Sequence, residues 1–451
     1  MPRVEAASSH RLSQIPKRIS GNRPYQVIEE HIADPKLLKI AKDNPVVDTF
    51  LKMALIPSPT VRPGHPKEKE MKGNLLIVRN VIEELFKSFN IKGIKTEVDK
   101  NGTLIIRIPG SKGLEKRQPL MLLGHMDIVP GDLSDPCRAI HPKLVRQNGK
   151  EYIATDGTTT LGADDKACIA VIWDAIKNVI DEGTEHVPFE IVISPDEEED
   201  GESIIKLDMS KFKAKHAILA DETEAFKVTT GCASFVDINI TISGLKGGHS
   251  AMGDQTKLIS AADILDELYK AVGNRIVQFN PDFPNQPLIS KNVYKFGIEQ
   301  KPSNAIPTGA YLSLSLRSLI TKLQEEEITR IRQEVKKVQA KYKSVEEDLK
   351  IKISVNRLFP AWNGSTETKL AKHLEQSAHE VGQEHVDVSP MHGATQINLL
   401  VKKKNRSGEK LAYAVIGPNI LGEHDTKERV EWQSMLEVSK WLGQFIKNYS
   451  S

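Results

Sequence analysis

Three cysteines in 451 residues, Cys137, Cys168 and Cys232, are too few and too scattered for a disulfide framework or a Cys-x-x-Cys metal site. Cys168 falls on an apolar-periodic stretch and reads as core filler. No run approaches eighteen consecutive apolar residues, and no apolar stretch follows the basic residues near the N-terminus, so neither a membrane-spanning helix nor a secretory signal is expected. Charge of one sign is also missing. The 62 Lys+Arg and 60 Asp+Glu leave a net +2, and no basic cluster is interleaved with aromatics, which argues against a nucleic-acid partner. The densest basic run, Lys402-Lys403-Lys404-Asn405-Arg406, reads as a solvated loop ahead of a strand over 411–416. A Gly-x-Ser-x-Gly elbow is absent, which disfavours a serine hydrolase. What remains, 39% hydrophobic and 27% charged, is an ordinary soluble composition at a length that suggests two domains. A cytoplasmic enzyme is expected, with a poorly ordered leader of about twenty residues carrying Arg3, Arg11, Lys17 and Arg18.

Against this background the acidic and imidazole groups stand out. Asp156-Gly157-Thr158-Thr159-Thr160-Leu161-Gly162-Ala163-Asp164-Asp165-Lys166 places adjacent carboxylates between a loop and an amphipathic helix. Gly124-His125-Met126-Asp127 precedes it, Pro195-Asp196-Glu197-Glu198 follows, and Asp221 and His424 complete a plausible ligand set. Short apolar runs lead into His125, the glutamates and Asp221, as buried strands leading to their carboxyl ends should. Strands alternating with helical patterns indicate βαβ units and a mostly parallel sheet, whose ligands gather at the carboxyl ends of strands. A mixture of imidazole and carboxylate suits zinc first, then cobalt or manganese. Asp127 lies two residues past His125, so on an extended segment it shares a side with the imidazole and can fix its tautomer. Each group alone would more often be structural; their combination and order point to a two-metal hydrolase.

The strings TDGTTTLGADDKA, SPDEE and LKGGHS resemble the co-catalytic dinuclear zinc peptidase family that includes tripeptidase (peptidase T), the Xaa-His dipeptidase, carboxypeptidase G and acetylornithine deacetylase. The first two strings are nearest the tripeptidase branch, and LKGGHS is nearer the dipeptidase branch. The resemblance runs from about residue 45 to the C-terminus. It implies two Zn2+ per subunit, one held by His125 and Asp221, the other by Glu198 and His424, with Asp164 bridging. It further implies Glu197 as general base, with Asp127 in a supporting catalytic role. The family commonly reads Glu-Glu-x-Gly, whereas this chain reads Glu197-Glu198-Glu199-Asp200-Gly201. Counting from the strand gives Glu197 and Glu198; counting back from Gly201 gives Glu198 and Glu199. The strand count is preferred, because strand register fixes a side chain to the sheet while a loop absorbs an insertion.

The middle of the chain changes period. Strand, helix, two strands, helix and strand, over about 235–242, 258–272, 288–296, 311–316, 322–342 and 349–355, give the βαββαβ order of a ferredoxin-like unit. The division expected is a leader to residue 40, a catalytic domain over 41–232 and 357–451, and an inserted domain over 233–356. The resemblance implies that the insert is a lid and homodimerisation surface. It also implies that His249 of Gly247-Gly248-His249-Ser250 reaches an active site, and that Asn304, Arg317 and Gly393 contact substrate. Alternating leucines at 312, 314 and 316 put Arg317 on the opposite, polar face, where it could grip a carboxylate. The expected function is cleavage of a peptide bond near the N-terminus of short peptides. The alternatives are a dipeptidase, carboxypeptidase or N-acyl-amino-acid deacylase of the same family and, from another class, a noncatalytic binding homologue.

Overall fold

Strands buried on both faces must be apolar throughout, and Leu120–His125 and Phe189–Ser194 meet that condition with all six residues of each buried. The computed structural model describes residues 31–199, 201–251, 258–299, 302–366 and 368–450. These two strands lie in an eight-stranded sheet of order Lys95–Val98, Leu104–Ile108, Phe189–Ser194, Leu120–His125, His216–Ala220, Ala412–Ile416, Lys227–Cys232 and Asp387–Met391. Its centre is parallel, from Phe189–Ser194 through Ala412–Ile416, and the Leu104–Ile108 edge is antiparallel. Side chains alternate between faces. Leu120 and Leu122 therefore join one core with the helices Ala163–Asp181 and Trp432–Ser450, while Met121 and Leu123 join another with Phe212, Leu219 and Tyr413.

A second, antiparallel sheet follows the order Ile276–Phe279, Pro287–Ile298, Ala310–Ser318, Ser234–Ser243, Lys350–Phe359. Its buried face, with Val236, Ile238, Leu312 and Leu314, packs on the helices Ala261–Val272 and Thr321–Lys343 through Ile264, Leu268, Ile328 and Ile331. This is the ferredoxin-like order expected, with Ile276–Phe279 added at one edge. The last strand continues to Phe359, three residues beyond the anticipated end of the insert. A third sheet, Ile420–Leu421, Arg429–Glu431, Lys150–Ala154 and Lys143–Gln147, pairs a late hairpin with an early one.

The first thirty residues, which hold the expected leader, lie outside the described residues. Within the remainder of the first forty begins the helix Pro35–Asp43, capped by Asp34, with Leu37 and Ala41 buried. That helix crosses the expected boundary at residue 40. Within the basic run Lys402, Lys404 and Arg406 are exposed in a loop, as expected, but Lys403 Nζ donates to the carbonyls of Ile204, Ile205 and Leu207 at 2.8, 2.6 and 2.9 Å, and Asn405 is buried. The short helix Glu202–Lys206 leaves its last carbonyls without intrahelical donors, and the lysine supplies one. All three cysteines are buried and free. Among the described residues no helix is long and apolar enough to cross a membrane.

Candidate metal centre

Three central strands deliver acidic or imidazole groups to one end of the sheet. His125 closes its strand, Asp221 follows His216–Ala220 directly, and Glu197 and Glu198 follow Phe189–Ser194 by three and four residues. Asp164 and Asp165 have non-helical backbone angles and form the loop that enters the helix. His424 stands in the late hairpin, at φ +61°, a left-handed conformation that costs a non-glycine residue energy and that surrounding structure must hold.

Asp164 joins two groups of side chains. Its Oδ1 lies 3.1 Å from His125 Nε2 and its Oδ2 lies 3.3 Å from His424 Nε2. Asp221 Oδ1 is 3.7 Å and Glu197 Oε2 4.0 Å from His125 Nε2, whereas Glu198 Oε2 is 2.9 Å from His424 Nε2. One pole is thus His125 with Asp221, the other His424 with Glu198, and a single carboxylate presents one oxygen to each. Asp165 Oδ2 instead accepts the His125 backbone N–H at 2.9 Å. Its other oxygen has no partner among the described residues, and both His125-Asp165-Asp221 and His125-Asp164-Glu198 bring ligand atoms within 4.8 Å of one another. Gly124 permits the close approach, since a Cβ there would sit 2.8 Å from Asp165 Oδ2.

So many buried carboxylates repel. Burial, reinforced by the charges of Asp221, Glu198 and Asp164, pushes Glu197 well above the usual glutamate value despite the attraction of His125. Burial and the Asp164 charge push Glu198 up to about 8, and burial lifts Asp221 to about 6. Burial disfavours the charged imidazole of His125, yet Asp127, Asp164 and Asp221 together raise it well above the histidine norm. Hydrogen bonds to Asp164 and Glu198 raise His424 to about 11. A dense set of oxygens and two imidazoles could hold divalent metal, which would neutralise it where protons otherwise must. The sign of the pH effect follows. Below about 8 Glu198 holds a proton, and below about 6 Asp221 does as well, so an incoming cation must displace them. Metal retention in a chelator-competition titration is expected to fall as pH drops from 8 to 6, with protons released on binding; pH-independent retention would contradict this.

The surrounding residues explain the placement. Asp127 accepts the backbone N–H groups of Glu197 at 3.0 Å and Glu198 at 3.1 Å, and the Thr60 hydroxyl at 2.6 Å. Toward His125 its nearer group is the backbone carbonyl, 3.1 Å from Nδ1, against 3.4 Å for the carboxylate. The Asp127 side chain therefore fastens the glutamate turn to the His125 strand, while its carbonyl orients the imidazole. Glu199 is drawn away, accepting from Arg62 Nε at 2.7 Å. Gly201, at φ +56°, closes the loop by donating its N–H to the Asp196 carbonyl at 2.9 Å. Glu197 and Glu198 are in the cluster and Glu199 is outside it. Lys166, fully buried, donates to the Ile56 carbonyl at 2.7 Å, and burial pushes its amine down to about 7.

Glu428 is a member of this shell that no motif points to. Its carboxylate is buried and accepts three backbone N–H groups, Leu161 at 2.7 Å, Gly162 at 2.8 Å and Asp164 at 2.9 Å. Its only sequence signal is a place four residues after His424. An amide at this position would keep one oxygen but turn an N–H toward the loop's own N–H groups. Glu428→Gln is expected to fold and to lose metal affinity by roughly 10–100-fold, measured by metal titration, because the Asp164 loop is no longer held. Unaltered affinity would assign the carboxylate a purely structural part.

The remaining expected site residues fall in two groups, one on a separate two-stranded ribbon and one where the second sheet meets the end of Asp387–Met391. Gly248–His249 pairs with Ala305–Ile306, and Asn304 Nδ2 lies 3.3 Å from His249 Nε2. Arg317 stacks over Phe235, 4.3 Å from the ring centroid, and no acidic side chain among the described residues pairs with it. Its cross-strand neighbour Ser290 contacts His392 Nε2 at 2.6 Å, beside Gly393, whose carbonyl accepts from Ala233. Among the described residues no hydrogen bond or ion pair joins Arg317 or Gly393 to the metal-ligand cluster.

The sequence profile of peptidase family M20/M25/M40 matches residues 121–448, nearly three quarters of the chain and all seven clustered groups. The chain belongs to that family. Among M20/M25/M40 relatives, the cytosol non-specific dipeptidase of Escherichia coli (strain K12) is 27% identical over 240 residues, 48% of this chain and 46% of that protein. Peptidase T of Geobacillus sp. (strain WCH70) is 28% identical over 242 residues, 45% of this chain and 56% of that one. The M20/M25/M40 chain thus matches about half the length of these curated relatives. In three dimensions the likeness is longer: a tripeptidase from Staphylococcus aureus subsp. aureus Mu50 superposes with a TM-score of 0.71 at 19% identity, over 90% of this chain and 98% of that chain. At that identity the match carries the fold.

Proposed function

We propose that the chain is a two-metal peptidase that cleaves near the N-terminus of short peptides, in the manner of a tripeptidase. The observation that carries this reading is Asp164, one oxygen toward each histidine pole. His125 and Asp221 would hold one zinc ion and Glu198 and His424 the other, with Asp164 common to both; cobalt or manganese would suit the same donors. Ions bound there supply Lewis acidity to a scissile carbonyl and acidify a water. Glu197 takes the proton of the attacking water and passes it to the leaving amine, a task favoured by its raised proton affinity. Asp127 keeps Glu197 and Glu198 at their stations. His249 offers an imidazole to the oxyanion, Asn304 adds a polar contact, and Arg317 with the Gly393 loop receives the substrate carboxylate.

The second sheet supports the proposed homodimer: Phe279, Tyr294, Phe296 and Ile298 are about half exposed on its strands, and Ile276–Phe279 is an edge strand. A cytoplasmic setting is proposed with it. A dipeptidase is the second reading, favoured by the Leu245–Ser250 string and the match to the Escherichia coli dipeptidase. Dipeptides, tripeptides and N-acyl amino acids assayed with and without chelator, then with added zinc, cobalt or manganese, separate the readings. Tripeptide turnover that disappears on chelation and returns with metal supports the proposal. Preference for dipeptides favours the second reading, and full activity in metal-free protein sinks both.

A further inference from the structure

The strand His216–Ala220 carries Asp221 at its carboxyl end, and its other end opens into a cavity of ≈ 490 Å³. About 16 Å of strand separates the two. Five segments meet there: Arg117 from the loop before Leu120–His125, Val187 before Phe189–Ser194, Lys215 and His216, Lys369 and His373 of the helix Lys369–Glu380, and Tyr449 of the last helix. Among the described residues, none that lines it is acidic. Lys215 is paired with Glu409 at 2.9 Å, but among the described residues no carboxylate pairs with Arg117, Lys369 or His373.

In a chain of net charge +2 such a cluster is not a consequence of composition. Arg117, Lys215, Lys369 and His373 are exposed around the cavity, so their mutual repulsion is partly screened by water, and the like charge is left facing one concavity. Lys369 stands in the first turn of a twelve-residue helix with no acidic residue there, where the backbone already presents positive ends. His216 is tied to the Tyr449 hydroxyl at 2.9 Å; burial and then His373, Lys215 and Lys369 depress its proton affinity. A concavity ringed by like charge, with no acidic lining residue among the described ones, has room for an opposite charge.

We propose that this cavity, at the amino end of the central strands and remote from the metal-ligand cluster, is a binding site for a small phosphate-bearing anion. Two cations without a carboxylate partner among the described residues, two imidazoles and a helix N-terminus converge on the cavity, which suits a tetrahedral dianion better than a planar monocarboxylate. The site does not depend on the proposed peptidase chemistry.

The test is calorimetric titration of the full-length protein with inorganic pyrophosphate, with AMP and acetate as separate arms. Pyrophosphate is expected to bind, and the Arg117→Gln/Lys369→Gln double variant to bind about tenfold or more weakly. AMP binding as tight as pyrophosphate would point to a nucleotide rather than a free phosphate. Because pyrophosphate can also coordinate metals, the variant decides the location: equal affinity in wild type and double variant overturns the proposal, as does acetate binding as tightly as pyrophosphate or absence of pyrophosphate binding. A second measurement guards against misfolding. In phosphate-free buffer Lys369→Gln is expected to raise Tm, since it removes a repelling charge, and a lower Tm would overturn the argument that the cluster awaits an anion.

Discussion

Glu197→Gln is expected to keep its full metal complement and to lose turnover by roughly 10²–10⁴-fold, the range associated with a positioned proton acceptor. The substitution preserves shape, and Glu197 N–H still binds Asp127, so the turn and Glu198 stay in place. What is lost is the carboxylate oxygen 4.0 Å from His125 Nε2 that can accept a proton. Glu198→Gln is expected to behave differently, weakening the His424 pole and releasing metal. Glu199→Gln should change activity little, because its partner is Arg62 in a pair more than a third exposed, worth about 0–1 kcal/mol. Kinetics and metal analysis on the three variants decide the assignment. An inactive but metal-replete Glu198→Gln beside a metal-deficient Glu199→Gln would mean that the base and ligand roles each sit one residue further along.

Asp164→Ala should be more drastic, abolishing metal binding and activity together. Its two oxygens face two histidines, so its removal takes a ligand from both poles at once and leaves two cations close together without the negative charge between them. Asp165 would not restore the bridge, since it groups with His125 and Asp221 and with neither His424 nor Glu198. Retention of two metal equivalents in the purified variant would refute the bridging assignment.

The parts legible in the sequence are those governed by local periodicity. Apolar runs ending in His125, Ser194 and Ala220 announce buried strands, and because ligands collect where parallel strands end, the clustered residues follow almost directly. The alternation 236, 238, 240, 242 likewise marks the second sheet, since a period of two is the signature of a strand with one buried face. The parts that stay hidden depend on contacts that no local pattern encodes. Glu428 reaches amides 264 to 267 residues earlier, and Arg62 meets Glu199 across 137 residues. Thr60 is invisible for the same reason, 67 residues from Asp127. Lys403 departs from the solvated loop expected of a lysine run because it finds three carbonyls at a helix end.

The late hairpin has a consequence for how the protein is made. Arg429, Val430 and Glu431 pair with Ala154, Ile153 and Tyr152, and the same hairpin supplies His424 and Glu428. A ribosome delivers the chain from its N-terminus, so His125, Asp164, Glu198 and Asp221 emerge while their partners are still untranslated. The nascent polypeptide therefore lacks half of one ligand pole and the clamp on its shared carboxylate until this hairpin has been translated. On the proposed reading, competence waits for this hairpin, and a product of translation interrupted before it would carry the His125 pole without its counterpart.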